Sequence, residues 1–347
     1  YLKIFIFLII MMFSFFFRAK LDISEVKETV LPKNILTDED YKRDMIDELG
    51  NIPIMMYHGI VNKEGTYQGN YDNDGYTRTL SAFRNDLEMY YQKGYRMIKL
   101  DDYIHGRIDT EYGYSPIILT FDDGNDNNIL VDGIDDNGDI IINKYSAVYV
   151  LEEFKKKYPD YNVTATFFVT DSLFNQAEYN EKIVKWLIEH GYSIGNHTKH
   201  HDNLSKIDND KIGNTIGYMY SKLNSIIGDN YSKIVALPFG APYNRDSDKF
   251  PYIIDSKYKE ITYHTDAILR VGWEPEFSPF NKKVDMTYLK RCRAYDNDGK
   301  DFDIEYVFKM LDKNRYISDG NKDTIVSTKS KSDMINNSYK LEVILYE

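Results

Sequence analysis

Two adjacent carboxylates, Asp122 and Asp123, follow the apolar run 117–121. About 75 residues later comes His197-Thr198-Lys199-His200-His201. His197 and His201 stand four positions apart, so one helical turn or a compact loop can aim both imidazoles at one point. Two imidazoles and one carboxylate make a ligand set for a divalent metal ion, with positions left open for water and substrate. Such an ion lowers the pKa of bound water to about 7 and polarises a carbonyl. The remaining carboxylate can then remove the water's proton as general base. Each half alone is weak, because Asp-Asp-Gly is a common turn and histidine-rich stretches are mostly solvated. Their placement after two expected strands gives the combination its weight. Cys292 is the only cysteine, which excludes an internal disulfide and leaves histidine and carboxylate to hold any metal.

The elements that must position these residues alternate in type. Residues 52–57, 117–121, 163–169, 192–195, 234–237 and 268–271 read as short buried strands. Leu80, Phe83, Leu87, Tyr90 and Tyr91 have helical spacing with Gly94 as a cap, and 147–158, 181–190 and 207–227 read as further helices. Alternating strands and helices predict an α/β fold with parallel strands, whose sites lie beyond the strand C-termini. The turn-rich stretch between Asn128 and Lys144 predicts a hairpin insertion. The chain has 347 residues, with 43 Lys+Arg against 55 Asp+Glu and a net charge of −12. That balance argues against a nucleic-acid partner. Hydrophobic residues at 42% and charged residues at 28% exclude wholesale disorder.

Residues 4–17 are apolar except for Ser14, with Lys3 before them and Arg18 and Lys20 after. Fourteen residues make roughly 21 Å of helix, short of the ~30 Å hydrocarbon core. The basic start and apolar stretch predict an export segment. Phe15–Phe17 occupy the place of a cleavage site's small residues, so an uncleaved signal-anchor is expected over a cleaved signal. The expected organisation is a membrane segment over 1–20, a stalk or wrapping segment over 21–50, a catalytic domain over 51–275 and a C-terminal extension over 276–347. The location expected is the cell membrane with the domain outside, or secretion.

Thr120-Phe121-Asp122-Asp123-Gly124 and His197-Thr198-x-x-His201 resemble the first two motifs of the polysaccharide deacetylases, the NodB-homology group or carbohydrate esterase family 4. Leu237-Pro238-Phe239-Gly240 is similar to the family's groove motif. Ile52-Pro53-Ile54-Met55-Met56-Tyr57-His58 is similar to the opening of its exported, circularly permuted members. The resemblance implies a distorted (β/α)7 barrel and metal-dependent hydrolysis of acetyl groups on a sugar polymer. It implies Asp122 as base and Asp123, His197 and His201 as ligands of a divalent metal, zinc first, with cobalt, nickel or iron as alternatives. His58 would protonate the leaving amine, and the backbone near Phe239 would meet the oxyanion, with Pro238, Phe239 and Gly240 forming the groove. The expected partner is an acetylated polysaccharide such as peptidoglycan, poly-N-acetylglucosamine or a chitin-like polymer. An O-acetyl esterase of xylan-like glycans and a non-catalytic glycan binder on a decayed fold are the alternatives.

The sequence departs from the pattern in three places. The arginine that steadies the base usually stands two residues before the groove proline, where this chain has Ala236; Arg245, a few residues on, is a candidate substitute that the sequence alone leaves open. No histidine follows His264, which the permuted arrangement with His58 explains. The family's Asp-x-x-x-Trp motif is indistinct, and Trp273 is expected as the aromatic facing substrate. His105, His190, His200 and His264 are expected to be structural or solvent-facing. Asn70-x-Asp72-x-Asp74-Gly75 resembles a calcium loop, but Ser81 stands where a bidentate glutamate is needed. No role is assigned to the 31 tyrosines.

Overall fold

Among the described residues, seven of the central sheet's eight strands lie on one path: β1 (Ile54–Tyr57), β2 (Ser115–Phe121), β3 (Thr166–Val169), β4 (Ser193–Asn196), β5 (Ile234–Ala236), β6 (Ala267–Leu269) and β7 (Cys292–Arg293); the eighth, Tyr95–Met97, pairs in parallel with the start of β2. The computed structural model describes residues 36–63 and 71–347. The expected membrane segment lies outside them, and among the described residues no helix is long and apolar enough to cross a membrane. The strands pair in parallel in the order β6-β5-β4-β3-β2-β1-β7. They are buried along nearly their whole length, as parallel strands covered on both faces must be. The sheet is curled: Leu289 bridges to Leu269 of β6, and three residues later Cys292 pairs with Met55 of β1.

Helices α1 (Leu80–Gln92), α2 (Ala147–Lys157), α3 (Asn180–Glu189), α4 (Ile212–Ile227) and α5 (Ile304–Asn314) flank the sheet. In α1, Thr79 caps the first turn by accepting the Ala82 N–H, an arrangement worth about 1 kcal/mol. Leu80, Phe83, Leu87 and Tyr90 make its buried stripe. The hairpin expected between Asn128 and Lys144 is Val131–Ile134 paired antiparallel with Ile140–Ile142.

The expected boundary at 275 falls inside the sheet. β7, the strand beside β1, comes from the region expected to be an extension. Two residues were too few to give a readable period. Farther on, Thr324–Thr328 pairs in parallel with Glu342–Tyr346. The described part of the expected stalk is packed, with Tyr41, Ile46 and Leu49 buried. There the Glu48 carboxylate accepts from Tyr316 Oη at 2.7 Å and from the Val326 N–H at 2.9 Å.

Strand alternation sets the site. Tyr57, Phe121 and Phe167 stack across β1, β2 and β3 with centroids 5.4 and 4.9 Å apart. Tyr57 Oη reaches the buried Asp86 of α1 at 3.1 Å, so this row faces the helices. The next residue along each of the first two strands, His58 and Asp122, therefore turns to the opposite side.

Candidate active site

Every expected catalytic, metal-binding and groove residue but one faces a single cleft of about 560 Å³ at the C-terminal ends of the parallel strands, with His58, Asp122, Asp123, His197, His201, Phe239, Gly240 and Trp273 on its walls. The exception is Pro238. It is buried and absent from the cleft wall, so its part is to build the turn that exposes Phe239.

Asp122 and Asp123 differ in surroundings although adjacent in sequence. Asp123 has a left-handed backbone, φ 75°, which sends its carboxylate away from that of Asp122. Gly124 follows at φ 63°, and a β-carbon there would lie 2.1 Å from the Leu173 carbonyl oxygen. Only glycine fits that approach. Asp123 Oδ1 lies 3.3 Å from His197 Nε2 and 3.4 Å from His201 Nε2. The three donor atoms sit within 4.8 Å of one another.

The histidine pair occupies a compact loop rather than a helical turn, with Thr198 and His201 both left-handed at φ 63° and 56°. Hydrogen bonds fix it: Asn196 Oδ1 accepts the Thr198 N–H at 2.9 Å, and Thr198 Oγ1 accepts the Asp202 N–H at 2.7 Å. His197 Nδ1 is bound to the Ala236 carbonyl at 2.8 Å, so it carries the proton. Its Nε2 is buried, presents a lone pair and has no hydrogen-bond partner. An orphaned imidazole nitrogen beside a carboxylate and a second imidazole fits a divalent cation, whose bond would repay the desolvation. His200 is exposed and outside the cleft.

Asp122 is almost wholly buried, yet it is an anion. Arg291, with no exposed surface, donates to both its oxygens at 2.7 Å. Burial pushes the Asp122 carboxyl up, but Arg291, then His197 and His58, hold it well below the usual carboxylate range. Arg291 is thus the residue that steadies Asp122. Arg245 is not a substitute, because it binds Asp285 at 2.6 Å on the surface. Arg291 was missed because it lies in the least legible part of the chain. Its one local signal is the apolar-basic alternation Leu289-Lys290-Arg291-Cys292-Arg293.

His58 Nε2 lies 3.9 Å from Asp122 Oδ2, and its buried Nδ1 has no partner. Burial lowers its pKa, against the raising effect of Asp122 and Asp123. Tyr76 packs edge-on against the imidazole at 5.1 Å. The calcium-like stretch presents that tyrosine: Asp74 Oδ1 accepts the N–H groups of Tyr76 and Thr77, and Asp72 accepts that of Thr79. Its carboxylates are thereby used as turn acceptors. On the far wall Phe239, left-handed at φ 60° and 54% exposed, meets the His201 ring edge-to-face at 4.5 Å. Trp273 is 41% exposed at the rim.

Residues 110–250 match the family model for polysaccharide deacetylases. This part of the chain is a polysaccharide deacetylase domain. The match contains Asp122, Asp123, His197, His201 and Phe239 but not His58, Trp273 or Arg291. A peptidoglycan-N-acetylglucosamine deacetylase of Bacillus cereus is 32% identical over 130 residues, which is 37% of this chain and 38% of that protein. The chain thus spans under two fifths of that relative's length. A polysaccharide deacetylase from Bacillus cereus superposes with a TM-score of 0.50 at 20% identity, covering 70% of this chain and 64% of that one. A Streptococcus pyogenes deacetylase solved with acetate gives 0.51 at 17% identity, covering 74% and 97%. These structures share the fold with the deacetylase domain, a mixed α/β arrangement around a curled parallel sheet.

Proposed function

We propose that the protein hydrolyses acetamido groups on an N-acetylglucosamine-containing cell-wall or exopolysaccharide, from a membrane-held position outside the cell. The reading rests on one observation above others: the convergence of Asp123, His197 and His201 opposite the buried Asp122–Arg291 pair. Asp123, His197 and His201 would hold a divalent ion, zinc first, with cobalt, nickel or iron as alternatives. When bound, that ion would supply carbonyl polarisation and acidify water. Asp122 takes the proton of the attacking water. Arg291 keeps it ionised and fixed in direction, at some loss of basicity. His58 lies beside it, Nε2 3.9 Å from Asp122 Oδ2, and the burial that lowers its pKa makes its protonated form a stronger acid toward the leaving nitrogen. The products are acetate and a free amine. A main-chain N–H at the left-handed Phe239 turn serves the developing oxyanion. Arg291, in the place of the residue missing at Ala236, supports the catalytic reading over a decayed, non-catalytic binder.

The test compares leaving groups. An amine must be protonated to leave and an alcohol much less so. H58A is therefore expected to lower acetate release from an N-acetylglucosamine oligomer by roughly 100-fold or more, and from an acetyl ester far less. Equal, small losses on both would remove His58 from the mechanism.

A further inference from the structure

Among the described residues, two guanidinium groups in the cleft wall form no salt bridge, although Glu276 lies near enough to Arg270 to feel its charge. Arg270, just past β6, and Arg293, on β7, both line the cleft. The protein's other arginines usually hold a carboxylate, as Arg78 does Asp86, Arg96 does Asp160, Arg245 does Asp285 and Arg291 does Asp122. Among the described residues, Arg270 and Arg293 have no carboxylate in ion-pair contact. Arg270 donates only to the Val271 carbonyl, at 3.2 Å, and Arg293 only to Tyr76 Oη, at 2.6 Å. The Nε of each is buried with no hydrogen-bond partner.

Aromatic rings hold both groups in place. The Arg293 guanidinium lies 4.3 Å from the Trp273 ring and 4.8 Å from that of Tyr76; Arg270 lies 5.0 Å from Tyr288. Stacking fixes the guanidinium plane and leaves its in-plane donors for a ligand. In a chain of net charge −12, two partly buried, unpaired cations at one cleft are not the edge of a generally basic surface. A neutral glycan would dehydrate both guanidinium groups without offering an anionic acceptor to their unpaired donors.

Resting on the deacetylase reading, we infer that this wall is an anion-binding subsite, and that the substrate is a glycan carrying a negatively charged substituent beside the acetylated sugar. A carboxylate and a phosphodiester both match a guanidinium's paired donors. The subsite narrows the substrate class away from neutral homopolymers of N-acetylglucosamine.

The experiment uses the full chain and three oligosaccharides of equal length. One is a neutral N-acetylglucosamine oligomer, one bears free carboxylates on alternate sugars, and one carries a phosphodiester next to the acetylated sugar. Calorimetry measures binding, and acetate release is followed in parallel. At least one anionic oligomer is expected to bind roughly tenfold tighter than the neutral one, and which one identifies the anion. R270Q and R293Q should bring that ratio toward one, while R270K and R293K keep part of it. Equal binding of all three, or a preference that survives both glutamine variants, overturns the subsite. Acetate release without any anion preference would remove the subsite and leave the hydrolase. Anion-selective binding with no release from any oligomer would do the reverse.

Discussion

Replacing Arg291 by methionine keeps the unbranched apolar stem but removes the guanidinium and both 2.7 Å bonds to Asp122. Asp122 is 2% exposed, so its charge cannot turn to water. Breaking a buried pair from one side costs about 3–5 kcal/mol. For a domain of this size that lowers the thermal midpoint at neutral pH by on the order of 10 °C. The pH dependence gives a second check. In the native protein Asp122 sits below its ordinary value, so its stabilisation is present at neutral pH and is lost only as pH falls through that depressed value. In R291M, burial raises it with only His197 and His58 left to oppose, so the Asp122 carboxyl moves up from its native position and the variant's deficit narrows as the solution is acidified. The double variant D122N/R291M, with both charges gone, should recover much of the lost midpoint. Thermal melts of the four proteins across acid to neutral pH measure all of this. R291M melting within about 2 °C of the native protein at every pH would show that the pair does not govern the site.

Metal binding and a remote titration supply further checks. H197A should weaken zinc binding by about 100-fold or more in calorimetric titration, whereas H200A, altering an exposed neighbour, should leave it unchanged. Burial raises the Asp86 carboxyl to about 6, against the opposing pull of Arg78. Its stabilisation is therefore present below its ordinary value near 4 and is lost as pH rises through about 6. D86N should flatten the midpoint-against-pH curve over that window, and an unchanged slope would contradict the raised value.

Much of the sheet and most of the site could be read from the chain, for a common physical reason. β2 and β3 are fully buried, largely apolar runs and β4 is a short buried strand, so Asp122 and Asp123 after β2 and His197 after β4 stand out as polar residues with no hydrophobic role. α1 and α4 show clear periods because one face is buried and the other solvated. The spacing of His197 and His201 allows a helical turn or a compact loop, and side-chain bonds from Asn196 and Thr198, which stabilise left-handed backbone that no periodicity encodes, select the loop. β7 was invisible because two residues carry no period. Arg291 was hidden with it, since its role depends on a partner 169 positions away. Arg270 and Arg293 likewise look like ordinary surface cations until the fold shows that they lack carboxylate partners.

The most direct measurement is acetate release from acetylated glycan by the zinc-loaded full chain beside D122N, with bound zinc quantified in both. The native protein should release acetate, and D122N should hold its zinc while its rate falls by roughly 100-fold or more. Release by D122N at the native rate, or no release by the zinc-loaded native chain from any acetylated glycan, would contradict the account.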